Sequence, residues 1–188
     1  MAEERRCKAA RGIYSPVERA QDHAAGVAGS LCARSRFLGR LARRYNAKQG
    51  WADLVHCYGT VGVGRDLSPD TGTGGELYAV IGQAPRQLDR NIAIVGRVVD
   101  GSDTLSTLPR GTEALGFYKD KAQYVPIVSI RLASQMPERE RPSYEYMASD
   151  SPTFAQYLHV RANRHDDFYI RPAGGVDLCN VQVPVRKK

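Results

Sequence analysis

The sequence predicts a mainly β protein with a helix towards each end, and three observations carry that expectation. From Trp51 onward, short apolar runs rich in Val, Ile and Tyr are separated by Gly, Pro and Asp, the texture of strands joined by turns. Residues 30–49 and 151–163 instead repeat their apolar positions at helical spacing. No run approaches the roughly 18 apolar residues of a membrane-spanning helix.

Residues 1–50 form the first expected segment, a basic appendage, helical or disordered. Within it SLCARSRFLGRLARRYNAKQ places Leu31, Leu38, Leu41 and Tyr45 on a helical repeat, with Arg34, Arg36, Arg40, Arg43 and Arg44 between them. The pattern predicts a basic amphipathic helix interrupted by Gly39. Its plain role is a solvated helix or leader. The functional alternatives are contact with an anionic membrane surface, nucleic acid or an acidic partner.

Residues 51–136 form the second segment. GTVGVGR (59–65), ELYAVIG (76–82), IAIVGRVV (92–99) and PIVSIRLA (126–133) are each about one strand long. PDTGTGG (69–75) is a pliable turn cluster placed directly before the second of them. GSDTLSTLP predicts a helical turn or two, capped by Ser102 or Asp103 and stopped at Pro109.

Residues 137–188 form a C-terminal extension of a helix plus an extended tail. PERERP (137–142) is a charged, proline-bounded linker. Ser151 followed by Pro152 marks a helix start, and Phe154, Tyr157, Leu158 and Arg161 continue it to about Asn163. GGVDLCNVQVPVRKK alternates as an extended strand would, ready to pack on the β-unit.

Length and composition bound the rest. The 188 residues suffice for one domain with appendages rather than two full domains, and 42% apolar with 25% charged residues is a globular composition. The net charge of +7 resides in residues 1–50, which hold 11 Lys/Arg against 4 Asp/Glu, whereas residues 51–188 balance at 16 of each. A nucleic-acid footprint over the whole chain is therefore not expected. The start MAEERRCKAARG lacks the apolar stretch of a secretory signal, so the chain as given reads as cytoplasmic. Cys7, Cys32, Cys57 and Cys179 show no C-x-x-C spacing, which argues against a zinc knuckle or a thioredoxin-like motif.

Most candidate chemistry reads as structural. GTVGVGR lacks dinucleotide-fingerprint spacing, and GTGGE lacks the Lys and Ser/Thr of a phosphate loop, so no cofactor is expected. His165, Asp166 and Asp167 read as a solvated helix end rather than a metal site. His56 and Cys57 are neighbours, and neighbours in a strand face opposite ways, which favours structural roles over a nucleophile–base pair.

The order of elements from His56 to Leu132 resembles the second half of a cyclophilin-type peptidyl-prolyl cis-trans isomerase. GTVGVGR, PDTGTGGELYAV, LDRNIAIVGRVVDG and PIVSIRL stand in the family's order, and LD...VGRVVDG is close to its LDG...FGRVVEG signature. The tail RPAGGVDLCNVQVPVR resembles an extension in a proteobacterial subset of these enzymes. The resemblance implies a cyclophilin-like β-barrel and isomerisation of X-Pro bonds in proline-containing peptides or unfolded polypeptide. It places Gly64 and Arg65 at the peptide-binding stretch, Glu76 at the loop glutamine, Tyr78 at a pocket phenylalanine, Leu88 at a pocket leucine and Ile92 at the family's histidine. Gly in the loop permits the substrate backbone to approach where a Cβ would obstruct it.

The first half of the family pattern, with its F-x-R and GGD strands, does not occur between Met1 and Trp51. The barrel is thus expected to be incomplete, the first 50 residues being a truncated start or a frame-shifted reading of the missing half. No catalytic arginine is assigned, and Arg65 is the in-motif candidate. The functions that follow are an isomerase of reduced activity, a proline-peptide binding module with weak catalysis, or a basic nucleic-acid or anionic-surface binder. Related proteins by resemblance are periplasmic, which permits a disulfide between Cys57 and Cys179 pinning the tail to the β-unit.

Overall fold

The structure, a computed structural model, describes residues 27–28, 34–38, 41–46 and 50–188. A short strand, β1 (Val27–Ala28), precedes an antiparallel hairpin of β2 (Arg34–Leu38) and β3 (Leu41–Asn46). The hairpin register runs from Arg34 opposite Tyr45 to Leu38 opposite Leu41, and β3 pairs on its other edge with β4 (Trp51–Leu54). This overturns the basic helix expected over residues 30–49. Ala42 and Arg44 are both buried while Leu41 and Arg43 are only partly so, the period of two that a strand imposes. On a helix residues 42 and 44 would point about 200° apart. Tertiary partners favour the strand: Ala42 joins the apolar core, and Arg44 meets the carboxylates of Asp53 and Asp89. Arg44 is thereby withdrawn from any basic surface. The expectations for residues 1–26, Cys7 and Cys32, including a truncated or frame-shifted start, lie outside the described residues.

The pairing of β3 with β4 runs across residue 50, so the expected boundary between appendage and β-unit falls inside one sheet. From β4 the chain passes through Val55, whose N–H donates to Ala42 O at 2.9 Å, into a tight turn at Cys57–Thr60. Thr60 Oγ1 accepts from Cys57 N at 3.1 Å and holds this turn. A second sheet then forms with β5 (Thr60–Val63) at its centre, flanked by β6 (Leu77–Ala79) and β7 (Ile94–Arg97), both antiparallel to it. These are three of the four strands expected between residues 51 and 136.

The fourth is absent: residues 126–132 form no strand, and a 3-10 turn follows at Ala133–Gln135. A β-branched run becomes a strand only when an edge accepts its backbone groups, and among the described residues no edge does. The small sheets do not close into a barrel among the described residues. The short helix α1 (Ser102–Ser106) is present, but Gly101, in the left-handed region at φ 78°, occupies its N-cap position. Neither Ser102 nor Asp103 caps it by a side-chain hydrogen bond.

The C-terminal segment builds much of the core. In α2 (Pro152–Ala162) Ser151 Oγ accepts from Phe154 N at 3.1 Å, and Pro152 fills the first turn. Phe154, Leu158 and Ala162, spaced by four, form its buried face. Against Phe154 and Leu158 pack Val55, Cys57, Leu178, Val181 and Val183. The tail also completes two small sheets. Strand β8 (Tyr144–Tyr146) pairs antiparallel with β10 (Val185–Lys187), and β9 (Val176–Asp177) pairs parallel with β1. No helix among the described residues is long and apolar enough to cross a membrane.

Candidate functional site

Antiparallel pairing puts Gly62 of β5 opposite Tyr78 of β6 and Ile94 of β7, so all three belong to one face of the sheet. The glycine is required there. A Cβ on Gly62 would overlap Cζ and the hydroxyl of Tyr78, so the missing side chain gives the ring its place across the strand. Two residues on, a Cβ at Gly64 would stand 2.9 Å from Glu76 Oε2, while Gly64 N donates to Glu76 O at 2.9 Å. The loop between them closes through Gly72, at φ 84°, where a Cβ would lie 2.8 Å from Val63 Cγ1. The pliable turn cluster ahead of β6 therefore serves a close approach of the loop to β5.

The Tyr78 hydroxyl ends a buried polar chain. It lies 2.8 Å from His56 Nε2, and His56 Nδ1 lies 3.0 Å from Asp89 Oδ1. The side chains of His56 and Asp89 are fully buried. Asp89 Oδ1 also accepts from His56 N at 2.9 Å, and its Oδ2 accepts from Arg86 Nε at 2.6 Å, with Arg44 a further 3.9 Å away. Burial pushes the Asp89 carboxyl up, but the bonds from His56 N, Arg86 and the His56 ring outweigh it and hold the group below its ordinary value. In a neutral imidazole whose Nδ1–H donates to the carboxylate, the other ring nitrogen is left to accept the Tyr78 O–H. Burial first, and then the Asp89 charge, raise the Tyr78 phenol above its ordinary value, so it remains a donor.

Beside this face lies an open groove of about 380 Å³ walled by Arg65, Thr71, Asp53, Leu54 and residues 90–94. Arg65 Nε donates to Asn91 O at 3.0 Å and its Nη1 to Asp66 O at 2.6 Å. Both guanidinium edges used this way face backbone carbonyls. Arg90 turns the groove's rim in the left-handed region at φ 68°.

Of the six residues placed at a peptide site by resemblance, Arg65 and Ile92 share this groove. Gly64, just after β5, and Glu76, just before β6, meet each other. Leu88, half-buried in a 3-10 turn (Arg86–Leu88), accepts from Ile92 N at 3.1 Å and precedes Asp89. Tyr78 joins the same turn through His56 and Asp89. Gly64, Glu76, Tyr78 and Leu88 are not walls of the groove.

Sequence reasoning did not assign a site role to His56, Asp89, Arg86 or Arg44. Residues 41–44, Leu-Ala-Arg-Arg, carry no apolar–polar alternation, so nothing local marked Arg44 for a buried face. The convergence of residues 44, 56, 78 and 89 was not legible either, because it spans four separate elements. Cys57 and Cys179 are joined by a disulfide with Cα atoms 4.9 Å apart, fixing the chain beside His56 to the tail. Asp166 pairs with Arg164 at 2.7 Å in the segment after α2. No family model and no curated protein matches this chain.

Proposed function

We propose that this chain is a cyclophilin-type peptidyl-prolyl cis-trans isomerase relative that binds proline-containing polypeptide and rotates its X-Pro bonds slowly. The observation that carries the proposal is the Tyr78 ring. It is held across Gly62 by a hydroxyl bond to a buried histidine, on the strand behind a glycine-rich loop. A ring of fixed orientation stacks on the apolar face of proline without losing rotamer freedom on binding. In this proposal Leu88 adds apolar surface, Gly64 and Glu76 border the backbone of the peptide, and Arg65 and Ile92 line the groove along which it leaves.

Rotation about X-Pro takes tens to hundreds of seconds unaided because the amide resists losing its double-bond character. A donor aimed at the prolyl nitrogen stabilises the twisted amide selectively. Arg65 is bonded to two backbone carbonyls, which leaves it poorly disposed for that task and favours a second reading, a proline-peptide binding module with weak catalysis.

A protease-coupled isomerisation assay run beside a peptide titration tests both. The expected turnover is at least about a hundredfold below that of a complete relative carrying F-x-R, the loss that follows when one placed donor is missing. Weak binding persists, and Tyr78→Ala reduces it more than Arg65→Ala does. Turnover equal to the complete relative's would show that another group replaces the arginine. Absence of any proline-dependent binding would remove both readings.

A further inference from the structure

A second and larger cleft, of about 770 Å³, opens in the C-terminal segment, and none of its walls is shared with the groove beside Arg65. Its volume falls in the range of ligand sites. Three arginines (Arg161, Arg164, Arg171) and three tyrosines (Tyr58, Tyr157, Tyr169) line it, against a single carboxylate, Asp177. That carboxylate is engaged: its Oδ1 accepts from Cys179 N at 2.8 Å. Arg164 pairs with Asp166 at 2.7 Å and lies over the Tyr169 ring at 4.3 Å. Arg161 Nη2 donates to Asn180 O at 3.2 Å, which uses one of its five N–H groups. Arg171 has no hydrogen-bond or ion-pair partner among the described residues.

The walls are anchored. Tyr58 OH donates to Ser102 O at 3.3 Å, Tyr157 OH to Gln182 O at 3.3 Å, and the disulfide fixes Cys179, itself a wall residue. Such a site offers forked donors in excess over acceptors, set among apolar ring surfaces. Guanidinium forks match carboxylates in plane and in spacing. The aromatic faces are partly taken already, Tyr169 by Arg164 and Tyr157 by Phe154 at 5.9 Å between centroids, so a strand of nucleic acid finds few free platforms on which to stack its bases. We propose that this cleft binds acidic polypeptide, taking Glu or Asp carboxylates on Arg171 and Arg161 with an apolar side chain against Tyr58. The proposal does not depend on the isomerase reading.

Calorimetric titration of the full chain with a short synthetic peptide alternating Glu and Tyr tests it, with the Gln-for-Glu peptide and a single-stranded oligothymidylate as comparisons. The Glu peptide is expected to bind with an affinity that falls as salt rises. The Gln peptide is expected to bind about tenfold more weakly or worse, the loss that charge-assisted hydrogen bonds imply. Arg171→Ala and Arg161→Ala each weaken the Glu peptide by about tenfold while the circular dichroism spectrum stays unchanged, since both side chains are exposed. Tyr78→Ala leaves it unaffected. Equal affinity for the Gln peptide, or an Arg171→Ala chain that binds as tightly as the parent, overturns the proposal. Tighter binding of the oligothymidylate, abolished by the same arginine substitutions, overturns it in favour of nucleic acid.

Discussion

Asp89 is the residue on which the candidate site turns, because two oxygens of one buried carboxylate hold the His56 backbone, the His56 ring and Arg86 at once. Asp89→Asn keeps the shape but removes the charge, leaving Arg86 beside a neutral amide. Breaking a buried pair from one side costs about 3 to 5 kcal/mol, and urea unfolding at neutral pH is expected to show a loss of that order. The pH dependence has a definite sign. Asp89 is depressed below its ordinary 3.8 in the folded chain, so the stability it contributes is complete above that value. It drains as pH falls from there through the lower folded value. The gap between parent and Asp89→Asn should therefore narrow in strong acid, and a gap independent of pH would show that the charge is not what stabilises the parent.

At the scale of elements, the C-terminal extension is a structural partner of the β-unit rather than an appendage. Phe154 and Leu158 of α2 and Leu178, Val181 and Val183 of the tail pack with Ala42 of β3 and with Val55 and Cys57. The Cys57–Cys179 disulfide ties these parts across a sequence separation of 122. Closing so long a loop restricts the unfolded chain strongly, and its removal is expected to cost about 2 to 5 kcal/mol. The measurement is the urea midpoint of the oxidised chain against the Cys57→Ser/Cys179→Ser double variant. An unchanged midpoint would mean that the α2 and tail contacts alone keep the extension docked.

For the whole molecule, the notable surface is apolar. Val128 is 97% exposed and Ile130 79%, with Ile127 and Leu132 also exposed along the stretch expected as a fourth strand. Leu115 and Phe117 in the preceding loop are exposed as well. A run of exposed apolar side chains on backbone that pairs with no strand among the described residues is an adhesion hazard. The native chain is expected to enhance the fluorescence of ANS, and Val128→Lys combined with Ile130→Lys to reduce that enhancement with stability held within about 0.5 kcal/mol per site. Undiminished fluorescence in the double variant would place the dye elsewhere.

The signals that were legible in the sequence are the short-range ones. Turn residues and β-branched runs located β5, β6 and β7, and the Ser151–Pro152 pair with Phe154 and Leu158 located α2, because caps and periodicity act within a few residues. The alternating tail announced β9 and β10 but not the 3-10 turn at Leu178–Asn180 between them. Only the tertiary structure made a hairpin of residues 34–46, since the choice was settled by a core position for Ala42 and by carboxylates for Arg44 at Asp53 and Asp89, far along the chain. It also withheld a strand from residues 126–133, whose composition suits one. Strand formation there is a property of the edge that would receive it, and no local signal in those residues can supply that edge. The polar chain from Tyr78 through His56 to Asp89, and the arginine-lined cleft, are of the same kind: each residue type is ordinary where it stands, and the chemistry arises from distances that only folding sets.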